Sequence, residues 1–541
     1  MRYQAALTGF MLFALTQVGV AADEDSVRII VKYKPRITLA SLTTQIKGAV
    51  NLPLTSLKPM AGSAYLLTFE TKSSNLAGNK TPNLTASILR QLRNNPNLVY
   101  ALNDRKGYFH PLPNIKFNDN SVLLAHESQW NEFSPPAGIM LESVAGLEDG
   151  AWAYTKGQAI QPIVVAVLDT GISLNPDLVN SLVKDEQNKI WGWNFSANNA
   201  DVLDETNSYH GTHVAGTIAG YGAIMLGVSG HLKILPVKIP DSKGMFYESQ
   251  VINALYWSVG GDVPGLPKNP YPAKVLNMSF GIDEDGEKEI DHCDLALQEA
   301  LHFVRQKGAV ITAAAGNDNH WESYSAPAVC NDAIKVAATG PTGLRAFYSN
   351  YGPSISFAAP GGDQFYGTQG GILSTVNPGG GYLNSGFNFY QGTSMASPHA
   401  AGVAGLIYAV SKGTLNPERV EQILYATTHA FGQSEDANNS CVGSKPCGSG
   451  ILDANNAVKA AIADYDEIIT VPVLSSQIRS KSQWLLIKIS AKQKANFTNP
   501  QLSKTKDGKL IVNYGAVIYS FDDSEFKHCQ IIGLRGIGCY R

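Results

Sequence analysis

The chain is short of charge. Only 16% of its 541 residues are Asp, Glu, Lys or Arg, and the formal net charge is −3. Such a near-balance offers no basic stripe for nucleic acid and no polybasic face for an anionic membrane. No CxxC pair or repeated Cys/His spacing occurs, so structural zinc has no ligand set to read. No repeat of solenoid period appears. Beyond the N-terminus, no run of about 18 uninterrupted apolar residues suggests a membrane span. With 44% hydrophobic residues, the composition is that of a globular protein with a substantial core, neither fibrous nor disordered.

At roughly 150 residues per domain, the length allows two to four domains. Met1-Arg2 precedes the apolar run "AALTGFMLFALTQVGVAA", which ends in small residues. This pattern predicts a signal peptide over 1–22, cleaved after Ala22, rather than a membrane anchor, and therefore an exported protein, whether released, periplasmic or surface-attached. Export makes the even set Cys293, Cys330, Cys441, Cys447, Cys529 and Cys539 readable as disulfides. Spacing pairs Cys441 with Cys447 across "VGSKP" and Cys529 with Cys539 across a glycine-bearing segment. Cys293 and Cys330 remain as the third pair.

Residues 23–112 read as a compact α+β unit. "SVRIIVKYKP", "SAYLLTFET" and "LVYALND" are strand-like, and "TASILRQLRNNPN" is a helix opened by Thr85. A polar stretch, 113–149, reads as a linker and mature N-terminal segment. From 150 to 461 the pattern becomes strand, glycine turn and helix, repeated. "PIVVAVLDTG", "AKVLNMSFG" and "GAVITAAAGND" are continuous apolar runs, as expected of strands covered on both faces of a parallel sheet. The expected fold is therefore α/β, a mostly parallel sheet flanked by helices. Residues 462–541, rich in Lys, Ile and Val, read as a small β-rich extension.

In open α/β sheets, working residues gather at the carboxyl ends of strands. Asp169, the Ser279 region and Asn317 end the three apolar runs. An acid after a strand also serves as a turn cap, so Asp169 alone leaves both roles open. "HGTHVAGTIAG" places His210 at the entrance of a small-residue helix and His213 one turn inside it. Two histidines three apart, with no glutamate between them, are not the i,i+4 zinc pattern. "GTSMASPHAAGVAGLIYAV" (392–410) sets Ser394 at the tip of a helix dense in alanine and glycine, where the dipole favours developing negative charge. Pro398, four residues on, is placed early enough for its missing N–H to fall in or near the unpaired first turn.

"DTG" at 169–171, "HGTHVAGT" at 210–217, "AAAGN" at 313–317 and "GTSMASPHAAG" at 392–402 occur in that order. Together they resemble the motifs of the subtilisin-like serine proteases, the subtilases, and the order Asp, His, Ser is that family's own. The resemblance covers 150–461 closely and extends more loosely to 23–112 as an inhibitory propeptide. It implies that Asp169 orients the histidine, His210 is general base and then acid, and Ser394 is the nucleophile. Asn317 and the Ser394 backbone N–H would form the oxyanion hole. Ser279, Phe280 and Gly281 would make one edge of the substrate cleft, and Gly244 within "DSKG" the other. His213 and His399 are read as structural residues. The implied product is a secreted serine endopeptidase, a monomer that takes protein or peptide substrates and is restrained by its own propeptide until processed. Rival readings are a catalytically silent peptide-binding scaffold, an adhesion protein working through its C-terminal extension, and the related acid peptidases with glutamate in place of the histidine.

No cofactor is expected for catalysis, and the metal-binding residues are left unassigned. Calcium enters as a candidate structural ion, for which "DEDGEKEID" and "SANNADVLDETN" offer oxygen-rich loops, neither with EF-hand spacing. In many subtilases an asparagine-bearing loop binds it together with an aspartate resembling Asp177. Here that loop, "AGYGAIMLGVSG", is two residues shorter and lacks the asparagine.

Overall fold

The structure, a computed structural model, describes residues 26–71, 81–109 and 128–466 apart from short gaps at 36, 134, 143–149, 223, 284–291, 322–324 and 380–384. Beyond 466 it describes strands only, at 483–485, 501–504, 509–514, 517–522, 528–532 and 536–540. The chain divides into two compact units, one ending at Asp104 and one beginning at Arg105. The signal-peptide reading of 1–22 lies outside the described residues.

In the first unit, β1 (Ser26–Tyr33), α1 (Leu39–Ala49), β2 (Leu54–Pro59), β3 (Ala64–Glu70), α2 (Thr81–Arg93) and β4 (Leu98–Asn103) follow in a β-α-β-β-α-β order. The sheet runs β2-β3-β1-β4, antiparallel throughout. Alternate residues Ile29 and Val31 of β1 meet Leu42 and Ile46 of α1 and Ile88 and Leu92 of α2 in one core. Helix α2 begins four residues before the Thr85 start expected from sequence, because a proline at its second position is tolerated in a first turn.

The second unit opens with β5 (Lys106–Tyr108) and is built on a seven-stranded sheet. Its strands and helices are β6 (Val164–Asp169), β7 (Trp193–Asn194), α3 (His210–Ala219), β8 (Lys233–Lys238), β9 (Met245–Tyr247), α4 (Glu248–Ser258), β10 (Val275–Met278), β11 (Gly281–Asp283), α5 (Leu295–Gln306), β12 (Val310–Ala314), β13 (Ile334–Thr339) and β14 (Phe357–Pro360). A hairpin of β15 (Ile372–Val376) and β16 (Gly386–Tyr390) leads into α6 (Thr393–Val410), followed by α7 (Pro417–Ala426) and α8 (Ala454–Asp466). The large sheet is ordered β14-β13-β12-β10-β6-β8-β7 and every neighbouring pair is parallel. β6, β10 and β12 are buried at every position, which is why their sequences read as unbroken apolar runs. The expected α/β architecture is the one observed.

Helix α6 is the buried axis of this unit, with all residues from Thr393 to Ala409 inside. It touches α3, α7 and α8 as well as β10, β12, β13 and β14. Its small residues make that approach possible: a Cβ on Gly402 would lie 2.5 Å from Val228 Cβ, and one on Gly405 2.5 Å from Leu232 Cδ1. Pro398 is the sixth residue of α6, inside the helix just beyond the unpaired first turn, in or near which the sequence reading set it.

After residue 466, β17 (Gln483–Leu485), β18 (Gln501–Lys504), β19 (Lys509–Tyr514), β20 (Val517–Asp522), β21 (His528–Ile532) and β22 (Gly536–Tyr540) form two three-stranded sheets. Cys529 stands opposite Cys539 in the β21–β22 register. The other two expected disulfides are present, Cys293–Cys330 and Cys441–Cys447, with Cα atoms 4.8 and 5.0 Å apart.

The two bridges close loops of different length, 37 and 6 residues. Loop-closure entropy makes removal of Cys293–Cys330 by paired Cys→Ser substitution cost roughly 4 kcal/mol, and removal of Cys441–Cys447 about 2 kcal/mol. Denaturant titration of the two double variants gives the order. An equal or inverted loss would show that native-state contacts, not chain entropy, set their worth.

Candidate active site

Asp169 is the last residue of β6, between β10 and β8 in the sheet, and its side chain is fully buried. A buried carboxylate must be hydrogen-bonded. Here Oδ1 accepts the Thr170 N–H at 2.7 Å and the His210 Nδ1–H at 2.8 Å. His210 is the first residue of α3, preceded by Tyr209 in the left-handed region (φ 50°). The helix start is brought down onto the end of β6 at Gly211, where a Cβ would lie 2.4 Å from the Gly171 carbonyl oxygen. Only glycine allows that approach.

A second acid, which sequence reasoning missed, stands behind this pair. Thr170 Oγ1 accepts the Gly211 N–H at 2.8 Å and donates to Asp204 Oδ2 at 2.6 Å. Thr206 donates to the other Asp204 oxygen through both N–H and Oγ1. Burial pushes Asp204 up to about 6. Burial would lower the His210 imidazole, but the charge and hydrogen bond of Asp169 and the charge of Asp204 outweigh it. His210 therefore titrates above its ordinary value. Asp204 lies in "ADVLDETN", a stretch with no periodic pattern to mark it.

Ser394 is the second residue of α6, and none of the hydrogen bonds among the described residues uses its backbone N–H. Its hydroxyl donates to the Ser279 carbonyl at 3.2 Å, and Ser279 Oγ donates back to the Ser394 carbonyl at 3.0 Å. The Ser394–His210 hydrogen bond that the resemblance implies is thus not made in this rotamer. Pro398 explains the return bond. Having no N–H, it leaves the carbonyl of the residue four before it, Ser394, without its helical partner, and Ser279 supplies one. Asn277 backs Ser279: its Nδ2 donates to Ser279 Oγ, and its Oδ1 accepts from Ser397 and Thr312.

Asn317 follows β12 and is exposed. Its Oδ1 accepts the Thr393 N–H at 2.8 Å and Thr393 Oγ1 at 2.9 Å, which leaves the Nδ2 donor as its presented end. The loop carrying it wraps around buried Asn350, which accepts N–H bonds from Asp318 and His320 and donates to the Ala315 carbonyl. Thr393 and Asn350 were also missed, although Thr393 lies within the quoted "GTS" motif.

His213 and His399 are structural, as read. His213 donates from Nε2 to the Ile372 and Asn388 carbonyls, stacks on Tyr390 at 4.2 Å, and is pushed down to about 3 by burial. His399 donates from Nδ1 to the Met395 carbonyl and accepts from Asn131 at Nε2. Burial lowers it to about 4.

β5 fills the cleft that Phe280, Gly281 and Gly244 were expected to edge. It pairs antiparallel with β11 on one side, from Gly281↔Tyr108 to Asp283↔Lys106, and with β9 on the other. The Gly244 carbonyl accepts the Phe109 N–H at 2.8 Å. Ser279, two residues before the paired strand, binds Ser394 and makes no pairing with β5. Phe109 packs edge-on against His210, and lies equally close, 5.5 Å between centroids, to Phe246 and Phe280.

The residues where the resemblance would place calcium do not fit a cation. One Asp177 oxygen accepts the N–H groups of Ile224 and Met225 at 3.0 and 3.1 Å, and Gln129 exchanges two hydrogen bonds with the Leu226 backbone. Among the described residues, amide hydrogens rather than further oxygen ligands face this Asp177 oxygen. The segment "DEDGEKEID" lies largely outside the described residues.

Comparison with known proteins agrees with this geometry. The Subtilase family matches residues 161–450. An extracellular basic protease of Dichelobacter nodosus is 31% identical over 84% of this chain and 74% of its own. An extracellular protease of Xanthomonas campestris is 32% identical over 82% and 74%. Among solved structures, a protease of Pseudoalteromonas arctica is 34% identical over 62% of this chain and 97% of its own, with a TM-score of 0.53. The epidermin leader peptide processing protease of Staphylococcus aureus, 19% identical over 81% of this chain and 99% of its own, shares the fold with a TM-score of 0.55. The chain belongs to the subtilase family and is a subtilisin-like serine endopeptidase.

Proposed function

We propose that the enzyme is made as an exported precursor and cuts peptide bonds through Asp169, His210 and Ser394. The observation that carries this reading is β5, a peptide strand held in the cleft with Phe109 against His210. Its neighbour Phe280 adjoins Ser279, whose carbonyl holds the Ser394 hydroxyl. On substrate binding, Ser394 Oγ turns to His210, gives up its proton to Nε2, and attacks the carbonyl carbon. The negative charge formed on the carbonyl oxygen is met by Asn317 Nδ2–H and the Ser394 N–H. Loss of one such donor costs about 100- to 1,000-fold in turnover. His210 then passes the proton to the departing amine, leaving an acyl-enzyme that water hydrolyses by the same steps. Asp169 holds the imidazole tautomer and stabilises its cation.

In this reading, residues 23–112 form the propeptide, of which β5 is the part lying in the cleft, and 1–22 direct export. The extracellular naming of the relatives supports secretion. The native chain should lose its N-terminal part after export and label with a fluorophosphonate. Ser394→Ala should do neither, as intact mass reads directly. Identical maturation with no labelling of either protein would favour the silent-scaffold reading.

The base works when neutral, so kcat/KM falls as pH drops through the His210 pKa, above its ordinary value of 6.5. Part of that elevation comes from Asp204. Asp204→Asn removes the charge, lowers the pKa and moves the acid limb of the pH profile to lower pH. A limb that stays or rises would remove Asp204 from the electrostatics of the site.

We also propose that the Asp177 clasp does without calcium the work the ion does in relatives. A chelator should leave the thermal midpoint unchanged, whereas Asp177→Ala should cost about 1–3 kcal/mol through two lost N–H···carboxylate bonds. A chelator-induced drop reproduced by Asp177→Ala would place an ion there.

A further inference from the structure

In an extended strand, residues 105, 107 and 109 face the same way, and here that way is into the enzyme. Each meets a built environment. Arg105 Nε and Nη2 donate to the two oxygens of Glu248 at 2.7 and 2.9 Å, forming a bidentate pair whose side chains are 5% and 0% exposed. Asp294 Oδ2 lies 3.1 Å from the same Nε as a second anionic partner. The Arg105 carbonyl also accepts the Glu248 N–H. Gly107 faces the ring of Phe246: a Cβ there would lie 2.3 Å from Phe246 Cζ and 2.9 Å from the Gly281 carbonyl oxygen. The ring has no room to retreat, being fully buried and packed against Phe280 at 5.1 Å and Phe109 at 5.5 Å. Phe109 completes that aromatic cluster over His210.

We infer that this cleft selects an acyl-side sequence of the form Arg-Xaa-Gly-Xaa-aromatic, the pattern of residues 105–109, and that Glu248 and Phe246 are its specificity determinants. Glu248 is a socket for a guanidinium, whose planar fork matches a carboxylate in a way an ammonium does not. Phe246 closes the middle position to every side chain while offering its edge to the aromatic two residues on. The inference rests on the protease reading and goes beyond it, since none of the reaction steps needs either residue. After the tail is cut and leaves, the same three positions are open to other polypeptides carrying the pattern.

The test uses the exported native enzyme and fluorescence-quenched peptides containing Arg-Lys-Gly-Tyr-Phe-His, the sequence of residues 105–110, with the cut located by mass spectrometry. Replacing the peptide's Arg by Ala should lower kcat/KM by at least about tenfold, and by Lys nearly as much. Replacing its Gly by Ala should lower it about tenfold or more. The Arg:Ala ratio should fall in Glu248→Gln and collapse toward one when Asp294→Asn is added. The Gly:Ala ratio should fall in Phe246→Ala, where the Gly281 carbonyl remains. A variant that merely folds poorly lowers both peptides of a pair and leaves their ratio intact. Native ratios near one, or ratios unchanged in the variants, would overturn the inference while labelling at Ser394 still upheld the protease. No cleavage of any peptide together with no labelling would overturn both.

Discussion

The site hangs on a hydrogen bond that an α-helix would normally keep for itself. Pro398 withholds an N–H from the Ser394 carbonyl, and Ser279 Oγ takes its place. One residue thereby ties the tip of α6 to the end of β10. The carbonyl of the same Ser279 accepts the hydrogen bond of the Ser394 hydroxyl. A proline in a helix interior costs about 3 kcal/mol when its freed carbonyl goes unpaired. Here that carbonyl is the point of attachment, so the apparent defect fixes the position of the reactive serine relative to the strand that borders substrate. Asn277 extends the tie: it holds Ser279 and receives Ser397 from α6 and Thr312 from β12. Three elements are thus locked by one buried amide.

Such polar joints are tolerable only because the surroundings are dry and closely packed. Asn277, Thr312 and Ser397 are all fully buried, and a half-satisfied network in that setting would destabilise the fold. Close packing follows from the composition of α6. Alanine and glycine bring its backbone against the 228–232 segment and the sheet, and the resulting rigidity keeps Thr393 in place to hold the Asn317 carbonyl oxygen. The orientation of the exposed amide is therefore set from the buried side. Preorganisation of this kind is what makes a donor effective against transition-state charge.

Much of this was readable in the chain. Unbroken apolar runs announced β6, β10 and β12, and each ended at a residue of the site, because strands buried on both faces must carry polar function at their ends. The small-residue helix announced its own burial. What escaped was set by contacts distant in sequence. Asp204 reaches Thr170 across 34 positions and Arg105 reaches Glu248 across 143, with no local pattern at either end. The role of Pro398 was half legible: its proximity to Ser394 was plain, but the partner that absorbs the freed carbonyl lies 115 residues away. The start of α2 was misplaced for the opposite reason, since a proline that reads as a breaker serves equally well in a first turn.

The segment 105–109 shows how the two kinds of information combine. Alternation alone says that Arg105, Gly107 and Phe109 share a face, a local fact visible in five letters. It does not say whether that face meets solvent or protein, and a glycine between a charged and an aromatic residue reads as an ordinary weak strand. The folded chain supplies the other half: a buried carboxylate at the start of α4, a phenylalanine ring whose retreat is blocked, and the imidazole of the base. Motifs that carry chemistry are short because a reaction needs few atoms in fixed places. Selectivity is spread over residues separated by well over a hundred positions because it is the shape of a surface. A chain can therefore declare its reaction in four short motifs and still leave the choice of substrate to be read from the cleft.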